Sequence, residues 1–256
     1  MSSRKPLNFD NKYLIAYLCN SKKTDEFMVL LEFYRFLCNF FYKTKDYKLY
    51  QIKLKWLMEE INSITKSNVA EVDSFKLLIK KYNINKDSIL CMIEAKTVDM
   101  DNFPFSSQAD IINYIKNTDV VFWNFYSQIL YGESLSQFEL ENIKNMGLAF
   151  GILEFIRFAH FKKSKSVYML LYSSEDTKNA SAEQENIKEL VKVAIDCIKK
   201  SSKHKGKTKK LLLLNYLTSN FIKNLENVRY KIDDNSISNV SKNTYLKIIL
   251  SLIFRL

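Results

Sequence analysis

Residues that break helices and strands are almost missing from this chain, and their scarcity restricts its fold more than any other feature. The 256 residues include four glycines and two prolines, and only Pro104 lies in the interior of the sequence. Many-stranded sandwiches and barrels need more turn-forming residues than this. Disordered and collagen-like chains are also excluded, because 47% of the residues are hydrophobic and 14% are aromatic. A helical protein with a large apolar core is therefore expected.

Apolar residues recur at intervals of three and four along most of the sequence, as in helices that bury one face. The first stripe follows Thr24, a candidate N-cap, and comprises Phe27, Leu30, Leu31, Tyr34, Leu37, Cys38 and Phe41. Further helices are predicted over Leu49–Ile61, Val69–Tyr82, Ser88–Lys96, a segment from Ser106 or Ser107 to Tyr131, Ser136–His160, Glu183–Ser202, Leu211–Val228 and Thr244–Leu256. Pro104 marks a loop, and Gly132 can end the helix that reaches Tyr131.

No internal repeat and no interdomain linker divides these segments. We therefore expect a single-domain, all-α bundle of eight to ten helices over residues 10–256, after an N-terminal tail at residues 1–9. The polar N-terminus does not resemble a secretory signal, and no run reaches the roughly 18 apolar residues that span a bilayer. A cytoplasmic protein is expected.

The chain is strongly basic, since 39 lysine and arginine residues against 28 acidic ones give a net charge of +11. Such an excess suits nucleic acid or an anionic membrane. Codon bias is the simpler interpretation, because lysine, asparagine, isoleucine, tyrosine and phenylalanine are all abundant. No recognisable DNA- or RNA-binding module is present, so nucleic acid is not an expected partner.

Two segments near the C-terminus suggest a membrane surface as an alternative partner. Lys199–Lys210 carries the densest positive charge, and it is either a solvated loop or a site for anionic lipid headgroups. Leu246–Leu256 is strongly apolar but short. It is predicted to be a terminal helix docked on the bundle, or else an interfacial anchor on the inner face of the membrane.

Common catalytic and metal-binding motifs are missing from the sequence. It contains no phosphate loop, no dinucleotide-binding GxGxxG, no HExxH and no GxSxG. His160 follows an apolar helix and is interpreted as a packing residue, whereas His204 lies in the basic run. No CxxC pair exists, so zinc is not expected and reduced, buried thiols are predicted for Cys19, Cys38, Cys91 and Cys197.

Asp99 and Asp101 form the closest acidic pair, directly before the Pro104 loop. Paired carboxylates can hold Mg²⁺, but two on a short loop without a third make a weak site. A solvated turn is the favoured interpretation of this pair.

Several segments, taken in order, point to one protein family. They are Lys12–Leu14, Phe33–Phe36, Ile52–Ile61, Asp99–Asp101 with Pro104, Phe105, Asp110 and Tyr114, and Gly147–Ile152 with Arg157 and Val167–Leu170. Together they resemble the squalene/phytoene synthase family over nearly the whole chain from Asp10. The stretch from Gly147 to Leu170 is the most specific match, because it resembles the helix of the second acidic motif and the turn after it. The resemblance implies an isoprenoid-synthase-like fold.

The chain departs from this family at its metal-binding motifs. Active members condense two prenyl diphosphates and use two DxxxD motifs on facing helices to hold Mg²⁺ and diphosphate. After Tyr34, the first motif is replaced by residues that include Arg35, Leu37, Cys38 and Asn39. After Arg157, the second is replaced by Phe158, Ala159, His160, Phe161 and Lys162. We therefore expect a protein without a bound metal or cofactor and without catalytic residues.

The pattern resembles the degenerate branch of the family that includes the mitochondrial complex I assembly factor and its bacterial relatives. That resemblance implies a non-catalytic protein, peripheral to a membrane, that binds a lipid or isoprenoid ligand or a partner protein. Candidate cavity residues by resemblance are Tyr34, Thr118, Gly147, Gly151, Arg157 and Tyr168. Arg157 is either an anion ligand or part of a salt bridge at a helix end. The alternative is an active Mg²⁺-dependent prenyltransferase that uses Asp99, Asp101 and further carboxylates.

Overall fold

Every regular element of the described structure is a helix, which confirms the all-α prediction. A computed structural model describes residue 12 and residues 23–100, 105–132, 135–164, 180–202 and 211–231. In these ranges the α-helices are α1 Thr24–Lys43, α2 Tyr47–Asn62, α3 Ala70–Tyr82, α4 Lys86–Ala95, α5 Gln108–Ile115, α6 Val121–Tyr131, α7 Gln137–Ser164, α8 Ala180–Ser202 and α9 Leu212–Asn227. A 3₁₀ turn, Lys96–Met100, follows α4, and a π-helical turn, Lys116–Val120, joins α5 to α6.

Local sequence signals set several of the helix ends. The Ser107 side chain accepts a hydrogen bond from the Asp110 backbone N–H at 3.2 Å, as predicted for the start of α5. Ser136 and Glu139 form a reciprocal capping box before α7, with bonds of 2.9 and 3.3 Å. Gly132 ends α6 with a φ of 71°, which a residue with a side chain rarely adopts.

Several predicted helix starts need correction: α2 begins at Tyr47 rather than Leu49, and α8 begins at Ala180 rather than Glu183. Lys23, and not Thr24, occupies the N-cap position of α1, and no side-chain hydrogen bond caps that helix. Thr24 is the first helical residue instead. Helix α4 begins at Lys86, before Ser88, because the Asn85 side chain accepts hydrogen bonds from the Asp87 and Ser88 backbone N–H groups.

The core is rich in aromatic side chains and lies between α7 and the helices around it. Helix α7 packs against α8, α9, α5, α6 and the π-helical turn, while α1 packs against α2, α3 and α6. Phe27 stacks on Tyr126 with ring centres 4.3 Å apart, and Phe33 stacks on Phe75 at 3.8 Å. These contacts hold α1 to α6 and α3 and account for the large apolar fraction of the sequence.

The predicted burial of the cysteines is only partly correct. Cys197 is buried and Cys38 is half-buried, whereas Cys91 on α4 is exposed. All three are free thiols. Cys91 is exposed because it lies opposite the face of α4 that buries Ile89, Met92 and Ile93. Cys19 lies outside the described residues.

Within the described ranges, no helix combines the length and the hydropathy needed to cross a bilayer. The predicted C-terminal helix Thr244–Leu256 and the part of the basic run after Ser202 lie outside those ranges, as do residues 101–104, which include Pro104.

Candidate functional site

A cluster of charged and phenolic side chains is enclosed by the helices near the middle of the fold. It comprises Lys12, Tyr34, Lys96, Asp99, Tyr114 and Asp119, and we call it the interior cluster. Tyr34 comes from α1, Tyr114 from α5 and Asp119 from the π-helical turn. Lys96 and Asp99 come from the 3₁₀ turn. All of these residues except Tyr114 are buried, with at most 9% of their surface exposed.

Lys96, Asp99 and Tyr114 form one hydrogen-bonded group. The Lys96 ammonium donates to the Tyr114 hydroxyl at 2.6 Å, and that hydroxyl donates to Asp99 Oδ1 at 2.7 Å. Lys96 Nζ also lies 3.5 Å from Asp99 Oδ2. The Tyr50 hydroxyl donates to the Lys96 backbone carbonyl at 2.8 Å and so connects α2 to the turn. Opposite charges are therefore paired inside the protein, as buried charges must be.

Lys12 and Asp119 form a second buried ion pair, with Lys12 Nζ 2.7 Å from Asp119 Oδ1. Lys12 Nζ lies 4.8 Å from the centre of the Tyr34 ring, and Lys96 Nζ lies 5.9 Å from the same centre. Both distances are within the range of cation–π attraction. The Tyr34 ring thus links the two ion pairs.

Three members of the cluster, Lys96, Tyr114 and Tyr34, have a defined protonation state at neutral pH. Burial acts to lower the pKa of Lys96, but the Asp99 carboxylate and Tyr114 outweigh it and hold that pKa well above its usual range. Burial, helped by the charge of Asp99, raises the pKa of Tyr114, and burial likewise raises that of Tyr34. Lys96 is therefore an ammonium ion, and both phenols are neutral.

Two glycines of α7 let the π-helical turn approach closely. A Cβ on Gly151 would lie 2.8 Å from Asp119 Cβ and still closer to Ile115. A Cβ on Gly147 would lie 3.3 Å from the Trp123 side chain. From the sequence, either a ligand or a neighbouring helix could explain why these residues are small. The structure shows a helix in contact with them. This contact fixes the position of Asp119 in the cluster.

The structure describes two of the remaining candidate residues, Thr118 and Arg157. Thr118 is fully buried, and its hydroxyl donates to the Tyr114 carbonyl at 2.8 Å. Arg157 Nη1 donates to Glu154 Oε1 at 2.7 Å, an ion pair one turn apart on α7. Tyr168, Asp101 and the His160 side chain lie outside the described residues. The predicted solvated turn is wrong for Asp99, whose side chain is 3% exposed because Lys96 and Tyr114 enclose it.

The site residues predicted from the sequence did not include four members of the cluster: Lys12, Lys96, Tyr114 and Asp119. Lys12 and Tyr114 were noted only as parts of segments that resemble the family. One signal for Asp119 was present, because Ile115, Asp119 and Phe122 share a helix face by their spacing of four and three residues. An acid on such an apolar face indicates a buried partner. The partner itself, Lys12, is far away in the sequence and no local pattern points to it.

The described residues do not fit a Mg²⁺ site. They contain no group of three or more histidine, cysteine, aspartate or glutamate side chains close enough to hold a metal. Asp99 and Asp119 each have a lysine ammonium within ion-pair distance, at 3.5 and 2.7 Å. A divalent cation needs several oxygen ligands and is repelled by these ammonium groups.

Comparison with known proteins agrees with this fold. The chain is similar to a dehydrosqualene synthase whose crystal structure was solved in complex with a ligand, with 11% identity and a TM-score of 0.68. The match covers 96% of this chain and 92% of that one, and it is a likeness of fold. No curated protein matches the sequence. The model of the squalene/phytoene synthase family matches residues 10–169. The chain therefore belongs to the squalene/phytoene synthase family.

Proposed function

We propose that this protein is a non-catalytic member of the family that binds a lipid-like ligand or a partner protein. One observation carries the proposal: the two interior carboxylates of the cluster, Asp99 and Asp119, are each neutralised by a lysine. A carboxylate paired in this way does not offer the negative charge that a metal–diphosphate complex requires.

The chemistry of diphosphate departure explains why this pairing matters. A diphosphate leaving group must be neutralised as it departs, and metal ions held by carboxylates supply that positive charge in this class of reaction. In this chain, the part of α1 from Arg35 to Lys43 contains no carboxylate. The positions after Arg157, from Phe158 to Lys162, contain none either. We therefore assign no catalytic residue.

The charge balance of the site favours a ligand of low charge. Lys12 and Lys96 are matched by Asp119 and Asp99, and Arg157 is paired with Glu154. Within the described ranges, the interior lysines and Arg157 are thus balanced by carboxylates, which leaves little positive charge there for a diphosphate. A prenyl alcohol or a similar apolar lipid suits the aromatic surroundings of Tyr34 better. We assign the protein, on the same reasoning, to the degenerate branch that includes the mitochondrial complex I assembly factor.

Three of the candidate cavity residues already contact neighbouring parts of the protein, and we no longer propose them as ligand contacts. Thr118 is hydrogen-bonded to its own helix, and Gly147 and Gly151 are covered by the π-helical turn and α6. Tyr34 and Arg157 remain the described side chains that we propose to contact a ligand, and Tyr168, which lies outside the described residues, remains a candidate as well.

The decisive experiment is an activity assay with diphosphate substrates. Purified protein is incubated with farnesyl or geranylgeranyl diphosphate and Mg²⁺, and released pyrophosphate is measured beside an active dehydrosqualene synthase. We expect no release above the protein-free sample. Release above that level would show an active prenyltransferase and overturn the proposal.

A second measurement tests the ligand class. Geranylgeraniol and geranylgeranyl diphosphate are compared as stabilisers in thermal unfolding, because a ligand that binds only the folded state raises the melting temperature. We expect the alcohol to raise it and the diphosphate to have the smaller effect. A larger effect of the diphosphate would contradict a site of low charge.

A further inference from the structure

A groove on the surface is built from α3 and the segments on either side of it. It has a volume of about 1110 Å³ and is bounded by the loop after α2, one face of α3 and the start of α4. Ile61, Ile79 and Ile84 are buried beneath it. Ile64 and Leu77 line it with exposures of 98% and 66%, the two highest among the large apolar side chains of the described residues. We call it the α3 groove.

The rim of the α3 groove is positively charged. Four lysines and one aspartate line it: Lys66, Lys76, Lys80, Lys86 and Asp73. Lys76 Nζ donates to the Thr65 carbonyl at 2.5 Å, and Asp73 Oδ1 accepts from the Ser67 backbone N–H at 3.2 Å. Lys66, Lys80 and Lys86 form no ion pair with any residue that the structure describes. The groove thus combines an apolar floor with three ammonium groups that form no ion pair within the described part of the chain.

We propose that the α3 groove binds an acidic amphipathic helix of a partner protein. Helices that dock in grooves insert apolar side chains spaced three and four residues apart and place polar ones along the edges. Acidic side chains at those edges would pair with Lys66, Lys80 and Lys86, and apolar ones would cover Ile64 and Leu77. Shape favours this occupant over a lipid bilayer, because a bilayer surface cannot follow a concave groove.

The groove-facing stripe of α3 also sets the size of the partner segment. Asp73, Leu77 and Lys80 follow one another at intervals of four and three residues, along the axis of a 13-residue helix. The part of α3 that lines the groove, from Asp73 to Lys80, spans about 12 Å, so a partner helix of at least two turns would lie along it. The α3 groove shares no residue with the interior cluster, and this proposal does not depend on the loss of catalysis.

The test uses two synthetic amphipathic helices of about 18 residues, or five turns. Both carry the same leucine stripe, and their flanking positions hold glutamate in one peptide and lysine in the other. Binding of the fluorescently labelled peptides to the full chain is measured by anisotropy. We expect the acidic peptide to bind at least about tenfold more tightly, a difference of about 1.4 kcal/mol. Equal binding of the two peptides overturns the proposal.

Matched variants locate the site. Leu77→Glu and Lys80→Glu should each weaken binding of the acidic peptide by about tenfold. Ile52→Glu and Lys55→Glu alter exposed residues of α2 outside the groove and should leave it unchanged. Circular dichroism melts check that all four variants fold. Equal effects of Leu77→Glu and Ile52→Glu overturn the assignment.

Vesicles of equal parts phosphatidylglycerol and phosphatidylcholine distinguish a lipid surface from a protein partner. If Leu77→Glu abolishes vesicle binding while the acidic peptide fails to bind the unaltered chain, the groove is a membrane contact and the proposal is wrong. We expect vesicle binding to be insensitive to Leu77→Glu.

Discussion

The Lys96 ammonium donates a hydrogen bond to the Tyr114 hydroxyl at 2.6 Å, inside the helix bundle. The same hydroxyl donates onward to Asp99, so one phenol joins a buried cation to a buried anion. An ammonium ion without this arrangement would lose its hydration and gain nothing in return. A substitution of any one of these three residues therefore removes a hydrogen bond or a charge partner from the other two.

Replacing Lys96 by methionine tests this dependence. Lys96→Met keeps most of the side-chain volume but leaves the buried Asp99 carboxylate without the Lys96 ammonium. Removing one partner of a buried ion pair costs about 3–5 kcal/mol, and we expect the free energy of unfolding to fall by that amount. Urea denaturation followed by circular dichroism measures it.

The double variant Lys96→Met/Asp99→Leu provides the control for that prediction. The double variant removes the carboxylate together with the ammonium that it pairs with, so its loss of stability should be smaller than the sum of the two single losses. Lys188→Met, which breaks an exposed ion pair with Glu185, should change stability by less than about 0.5 kcal/mol. Additive losses in the double variant would contradict the interdependence.

Alanine substitutions at the two glycines of α7 should have different effects. Gly151→Ala brings a Cβ against Ile115 and to 2.8 Å from Asp119 Cβ, so the π-helical turn must move. We expect a loss of about 1–3 kcal/mol, because overpacking a well-packed contact costs that much. Gly147→Ala meets Trp123 at 3.3 Å and gains up to about 1 kcal/mol of helix propensity, so it should be nearly neutral. Thermal unfolding of the two variants compares them directly, and equal melting temperatures would be the contrary result.

The helices could be predicted from the sequence because their signals are local. Ser107, Gly132 and Ser136 each determine a helix end through hydrogen bonds or backbone angles within four residues. The apolar stripes on α1 and α3 likewise depend only on spacing. Thr24 was wrongly predicted as an N-cap. A threonine before an apolar stripe is favoured at the N-cap but is also tolerated one position later, where Thr24 lies.

The site was less predictable because its contacts are not local. Asp99 precedes a proline loop, which suggests exposure, yet Lys96 and Tyr114 enclose it because the Tyr114 hydroxyl of α5 hydrogen-bonds to both residues of the 3₁₀ turn. Lys12 and Asp119 meet across the fold, and neither position predicts the other. Tyr34 was found through family resemblance, and its contacts with the two lysines follow from the fold alone.

The capping box before α7 should contribute measurably to stability. The Ser136 hydroxyl accepts from the Glu139 backbone N–H, and the Glu139 carboxylate accepts from the Ser136 backbone N–H. Ser136→Ala removes the first of these bonds, and we expect a loss of about 1 kcal/mol in urea denaturation. Ser74→Ala, in the interior of α3, is the matched control and should cause no such loss. A loss of equal size in both variants would argue against the cap.

Stability should fall steeply above about pH 10. Burial raises the pKa of Tyr34, Tyr50 and Tyr114, and Asp99 together with Tyr114 overcomes burial to raise that of Lys96. In the unfolded chain these groups release their protons near their ordinary pKa values of 10.0 and 10.5. The folded chain retains the protons, so the unfolded state binds fewer of them and the free energy of unfolding decreases as pH rises.

Above its ordinary pKa, each of these groups lowers the free energy of unfolding by up to about 1.4 kcal/mol per pH unit. Below that pKa, the stability that the group contributes is fully present. Urea denaturation between pH 8 and pH 11.5 gives the slope, and absorbance at 295 nm reports tyrosinate. We expect the phenols of the cluster to ionise only when the protein unfolds. Tyr114→Phe should make the slope shallower, and Tyr47→Phe, which removes an exposed hydroxyl, is the control. A constant free energy of unfolding up to pH 11 would contradict this prediction. Groups that keep their protons in the folded chain above their ordinary pKa must lower the free energy of unfolding in that range.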